Sequence, residues 1–90
     1  PVVYQSGQII YEEQLDAIGM IYVICKGVVQ LSRKEFTDGF PKALGAGDTF
    51  GLVAGQPTLR EETARTMSKT FLLAIRQSDY DTLTRSATNT

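Results

Sequence analysis

The chain has 90 residues, 42% of them apolar and 21% charged, with a formal net charge of −1 and no histidine. That length gives one domain with one modest core. The near-neutral charge argues against a basic nucleic-acid surface. The lack of histidine removes the commonest general base and transition-metal ligand, so neither an enzyme nor a cofactor is expected.

Val2-Val3-Tyr4 reads as a first short strand, closed by Gln5-Ser6-Gly7. Gln8-Ile9-Ile10-Tyr11 is a second, followed by the acidic pair Glu12-Glu13. Residues 20–25 form a continuous apolar, β-branched and aromatic run. It is too short for a helix or a bilayer span and fits a central strand covered on both faces, so no membrane insertion is expected. The single cysteine, Cys25, ends this run and is expected to be a buried core thiol. One unpaired cysteine suits a cytoplasmic setting better than a secreted one. No signal segment opens the chain, and a start at Pro1 suggests a piece of a longer protein.

Lys26-Gly27 interrupts the apolar run. Partial alternation then places Val29 and Leu31 on one face and Gln30 and Ser32 on the other. Asp38-Gly39 predicts a hairpin tip between Lys34 and Lys42, and Gly45-Ala46-Gly47-Asp48 predicts another tight turn. Residues 50–56 predict one or two helical turns stopped by Pro57, and residues 63–66 and 71–75 complete the strands. Ser78, with Asp81 three residues on, approximates a capping box and predicts the start of a short C-terminal helix. The expected domain is 1–85, with 86–90 as a disordered polar tail. Short strands separated by turn signals predict a mainly β, antiparallel sandwich or roll. Paired carboxylates such as Glu61-Glu62 lie on opposite faces of a strand and make poor acid–base couples.

Leu44-Gly45-Ala46-Gly47-Asp48-Thr49-Phe50-Gly51 resembles the start of the phosphate-binding cassette of cyclic-nucleotide-binding domains. That family includes the regulatory subunit of cAMP-dependent protein kinase and the catabolite activator proteins. Gly7 with Ile9, Ile10 and Glu13 resembles its first hairpin, and Tyr22-Val23-Ile24 with Gly27 resembles its Tyr-Ile-Ile signature. Residues 73–75 followed by Asp79-Tyr80 resemble its last strand and following helix. The resemblance covers residues 2–85 and implies an antiparallel jelly-roll or β-roll, with a short helix in the cassette and another at the C-terminus. It implies a regulatory, non-enzymatic domain of a larger cytoplasmic signalling protein. The candidate ligand is cAMP or cGMP. The expected partners are that nucleotide and neighbouring domains of the parent, with no nucleic-acid contact by this domain.

The resemblance also assigns residues. Phe50 plugs the core, Gly51 admits the ligand, the amides of Val53 and Ala54 face the phosphate, and Arg60 aligns with the phosphate-binding arginine. Backbone N–H groups at a helix start cradle an anion, and an arginine adds charge-assisted hydrogen bonds. Three departures weaken the match, and two smaller ones sit earlier. Leu52 occupies the position of the family's ribose-binding glutamate, a loss of about 1.5–3 kcal/mol. Glu61 follows Arg60 where a small residue is usual, and it either repels the phosphate by about 3 kcal/mol or pairs with Arg60 in its place. Glu62 likewise replaces a small residue, and the cassette is one residue shorter. The two smaller departures, Gln14 in place of a glycine after Glu13 and one extra residue between Glu13 and Tyr22, read as loop adjustments. The alternative function is therefore a degenerate, non-binding domain acting through protein contacts or autoinhibition. Less favoured are a cupin-like enzyme and the sensor part of a transcription regulator.

Overall fold

The computed structural model describes residues 2–14, 19–35, 38–52 and 59–88. The predicted helical turns within 50–56, including Val53 and Ala54, lie largely outside these. The described strands are β1 (Val2–Tyr4), β2 (Ile9–Tyr11), β3 (Met20–Lys26), β4 (Val29–Ser32), β5 (Lys42–Leu44), β6 (Thr49–Phe50), β7 (Thr63–Thr66) and β8 (Thr70–Arg76), followed by helix α1 (Gln77–Thr88). They form two four-stranded sheets, in the orders β1-β8-β3-β6 and β2-β7-β4-β5. Every pairing is antiparallel. The mainly β, antiparallel roll read from the sequence is the fold observed.

Alternation builds the core between the sheets. Tyr22 and Ile24 on β3, Val29 and Leu31 on β4, Phe50, Ala64 and Leu72 form one buried cluster. Burying each large aliphatic side chain among them contributes about 1.5–3 kcal/mol. Phe50 fills the core as expected, ringed by Tyr22 and Tyr11 at centroid distances of 5.4 and 6.1 Å.

Cys25 corrects the expectation for the apolar run: it is exposed. Inward residues of β3 fall at Tyr22 and Ile24, which puts Cys25 on the outer face, beside a register shift between Ile24 and Lys26 opposite β8. The apolar run is thus covered on both faces only in part: Ile21, Tyr22 and Ile24 are buried, while Cys25 at its end is exposed. Helix α1 begins at Gln77, one residue before the expected Ser78, and Asp79 pairs with Arg76 at 3.0 Å. The helix also continues through residues 86–88, where a disordered tail was expected. Once a helix is under way, Ser, Ala and Thr extend it at small cost.

The corners where the chain changes sheet are held by side chains. Between β1 and β2, the fully buried Thr66 hydroxyl donates to Gln5 O at 2.5 Å and accepts from Gln8 N at 3.0 Å. Between β3 and β4, Gly27 (φ 110°) presses against the opposite corner. A Cβ there would lie 2.5 Å from Thr70 Oγ1 and 2.8 Å from Lys69 O. Backbone strain and overpacking each carry about 1–3 kcal/mol at such a site. Gly27→Ala should therefore lower unfolding free energy by about 3 kcal/mol or more. Urea denaturation reads this directly, and a loss below about 1 kcal/mol would contradict the packed-corner account.

Candidate functional site

The candidate site forms where the end of β6 and the start of β3 meet β2 and the segment leading into β7. Arg60 stands at this junction and is 2% exposed. Its Nη1 donates to Gly51 O at 2.6 Å and its Nη2 donates to Met20 O at 2.9 Å. The guanidinium carbon lies 4.2 Å from the centre of the Tyr11 ring. Arg60 therefore ties the two sheets together at one end, and its own carbonyl accepts from Gln14 N at 2.9 Å.

The local sequence explains this geometry. Gly51 has φ 91°, and a Cβ there would stand 2.9 Å from Arg60 Nη1. Only a glycine gives the carbonyl this approach without strain. Tyr11 lies on β2 with its ring turned to the core aromatics, 6.3 Å from Tyr22. Its hydroxyl donates to Glu62 Oε1 at 2.7 Å. Burial pushes the Tyr11 phenol well above its ordinary range, and the hydrogen bond to Glu62 adds to that.

The charge of Arg60 meets no carboxylate within ion-pair distance among the described residues. Carbonyl dipoles and an aromatic face hold it instead. Hydrogen bonds to a charged group contribute about 1.5–3 kcal/mol each, and a desolvated cation over an aromatic ring contributes about 2 kcal/mol. A guanidinium has five N–H donors, and these two carbonyls take one each. The arrangement stores a cation at the end of the cassette.

Leu52 follows Gly51 and is 46% exposed. It offers no hydrogen bond at the position where the family resemblance expects a glutamate. Glu61 does not pair with Arg60. Its carboxylate lies 4.0 Å from Arg33 Nη2, with the Glu61 side chain 58% exposed. Solvent screening at that exposure limits the Arg33 pair to about 1 kcal/mol at most. The structure thus brings Gly51 and Arg60 together and turns Glu61 toward a different arginine. Sequence reasoning missed Tyr11 and the Met20 carbonyl as partners of Arg60. Tyr11 read only as a core or rim aromatic, and a backbone acceptor leaves no trace in residue identity. Among the described residues there is no cluster of metal-ligating side chains and no helix long and apolar enough to cross a membrane.

The family model described as "Cyclic nucleotide-binding domain" matches residues 1–87. Comparison with curated proteins gives no match. Among solved structures, the catabolite activator protein of Thermus thermophilus is 26% identical with a TM-score of 0.72, covering 96% of this chain and 41% of that one. Cyclic-AMP-bound PfPKA-R is 24% identical with a TM-score of 0.74, covering 89% of this chain and 29% of that one. The c-di-GMP-responsive regulator CLP of Xanthomonas campestris is 19% identical with a TM-score of 0.76, covering 96% and 43%. The last two, at this identity, show the fold alone. The chain spans less than half the length of all three.

The Tyr11 geometry has a consequence for pH. Its folded-state pKa is raised, so the stability it contributes is complete below the unfolded value of about 10 and is lost as pH rises above it. Urea denaturation between about pH 7 and 11 should show stability falling above pH 10, with a shallower fall in Tyr11→Phe. At neutral pH, Tyr11→Phe should cost about 1 kcal/mol for the lost hydrogen bond. Identical alkaline slopes in the two proteins would contradict the buried Tyr11–Glu62 pair.

Proposed function

Because the chain belongs to the cyclic nucleotide-binding domain family, we propose that it is the ligand-sensing regulatory module of a larger cytoplasmic signalling protein, holding cAMP or cGMP through a weakened cassette. The observation that carries this function is Arg60. It is a buried cation held by neutral carbonyls and a tyrosine face, with no ion pair among the described residues. A buried charge is costly when unpaired, and a phosphate oxygen satisfies a guanidinium better than a carbonyl does. Residues 53–58 contain no acidic side chain to compete for it.

The ribose side of the same site is weak. Leu52 cannot accept a hydroxyl hydrogen bond, so the nucleotide keeps its phosphate clamp and loses its second anchor. The loss of about 1.5–3 kcal/mol corresponds to roughly a 10- to 150-fold fall in affinity. Glu61 lowers affinity less than the sequence suggests, since it leans toward Arg33 in solvent. Regulation then passes to neighbouring domains of the parent as the cassette shifts between carbonyl-bound and phosphate-bound Arg60.

Calorimetric titration with cAMP and with cGMP tests this. One of the two should bind saturably, in the range of about 10 µM to 1 mM. Leu52→Glu should tighten that binding by about tenfold or more. Arg60→Gln should abolish it, although Arg60 also supports the fold. Leu52 is exposed, so its variant keeps the test clean. If neither nucleotide saturates either the native domain or Leu52→Glu, the cassette is degenerate and the domain acts through protein contacts.

A further inference from the structure

A second recess lies on the other side of the Arg60-Glu61 dipeptide. At one end of the β2-β7-β4-β5 sheet, the residues after β2, after β4 and before β7 converge on an open groove of about 640 Å³. Its described lining is Glu13, Gln14, Arg33, Lys34, Glu35 and Glu61. That volume falls within the usual span of small-molecule sites, about 300–1,000 Å³.

Two further observations mark the groove as more than a surface dip. The first concerns Arg33. Its guanidinium stacks 4.2 Å above the Phe40 ring, yet its Nε is buried with no hydrogen-bond partner. A buried unpartnered donor is rare and calls for a specific explanation. Glu61 approaches a different nitrogen, Nη2, at 4.0 Å, beyond hydrogen-bond range, and is largely exposed.

The second concerns Gln14, the only non-glycine with positive φ among the described residues, at 71°. A left-handed backbone disfavours a residue with a Cβ by about 1–2 kcal/mol relative to its relaxed state, and glycine fits such a position without that cost. An amide side chain nevertheless lines the groove where the family resemblance expects glycine. Glu13, beside it, is anchored by accepting the Lys34 amide at 2.8 Å. One wall is thus fixed, while the Nε of the arginine beside it lacks a hydrogen-bond partner.

The charges decide the ligand class. Three carboxylates against two cations repel a polyanion, and the two cations disfavour a polycation. We infer that the groove binds a short zwitterion of the peptide type, its carboxylate on Arg33, its ammonium among Glu13, Glu35 and Glu61, and an amide contact from Gln14. A free dipeptide and the exposed end of a protein chain share that chemistry. The groove adjoins the cassette across Arg60-Glu61, and its assignment does not rest on nucleotide binding there.

The test is an amide NMR titration of the ¹⁵N-labelled domain with the dipeptide Lys-Glu, its termini free, and with its N-acetylated, C-amidated form. Succinate and putrescine serve as single-sign controls. Saturable shifts should centre on residues 13–14, 33–35 and 61, and persist in Leu52→Glu and in saturating cAMP. Binding of the free form alone assigns a free ligand or chain end; equal binding of the capped form, which lacks both terminal charges, overturns that assignment. Arg33→Gln should weaken binding about tenfold or more. Gln14→Gly is the decisive variant: its melting midpoint should be unchanged or raised while its affinity falls. Overturning results are an absence of saturation by either dipeptide form at about 10 mM, equal binding of succinate, or full affinity in Gln14→Gly.

Discussion

The fold turns on one buried guanidinium. Arg60 enters from the segment before β7, reaches the carbonyls of Gly51 and Met20, and lies under Tyr11. Those contacts join β6 and β3 of one sheet to β2 and β7 of the other at the end of the roll where the cassette begins. The absence of a Cβ at Gly51 makes the shortest of them feasible. Tyr11 is in turn fixed by Glu62, two residues beyond Arg60. A group that would serve as a ligand contact is therefore also a structural cross-link, and binding and folding draw on the same contacts.

That dual use shapes the site's chemistry. In a low-dielectric setting a cation held by neutral dipoles is favourable enough to stay buried, yet it gains from an arriving anion. Under the proposed reading, a phosphate would exchange one set of acceptors for another and would need no newly ordered side chain. On the same reading Leu52 leaves the other half of the site without an acceptor, since its side chain cannot pair with a sugar hydroxyl. The groove beyond Glu61 lies one residue from this cation, and the backbone bond from Gln14 to Arg60 links the two regions directly.

Most of the fold was legible in the sequence because it depends on side-chain alternation and turn chemistry. The faces of β4, the position of Phe50, the span of β7 and the corner at Gly27 all follow from local pattern. Cys25 was misread because an apolar run does not show where its outer cover ends: Ile21 on the same face is fully buried, while Cys25 lies exposed beside the register shift. The helix starts at Gln77, one residue before the expected Ser78, and Asp79 in its first turn pairs with Arg76. The cassette was legible only in part. Residue type singled out Gly51 and Arg60, which the structure places in contact, but the other partners of Arg60 are the Met20 carbonyl and a ring from a distant strand, which no spacing encodes. Gln14 showed as a departure from the family, and its left-handed backbone gave that departure a physical meaning.

The central claim is that Arg60 is a caged cation held by two carbonyls and one aromatic face. Nitrogen-15 NMR of the arginine guanidinium groups in the unliganded domain measures this most directly. One arginine should show resolved, slowly exchanging Nη protons with cross-relaxation to the Tyr11 ring. If every arginine gives averaged, rapidly exchanging signals and none contacts Tyr11, the cage does not exist and the account built on it fails.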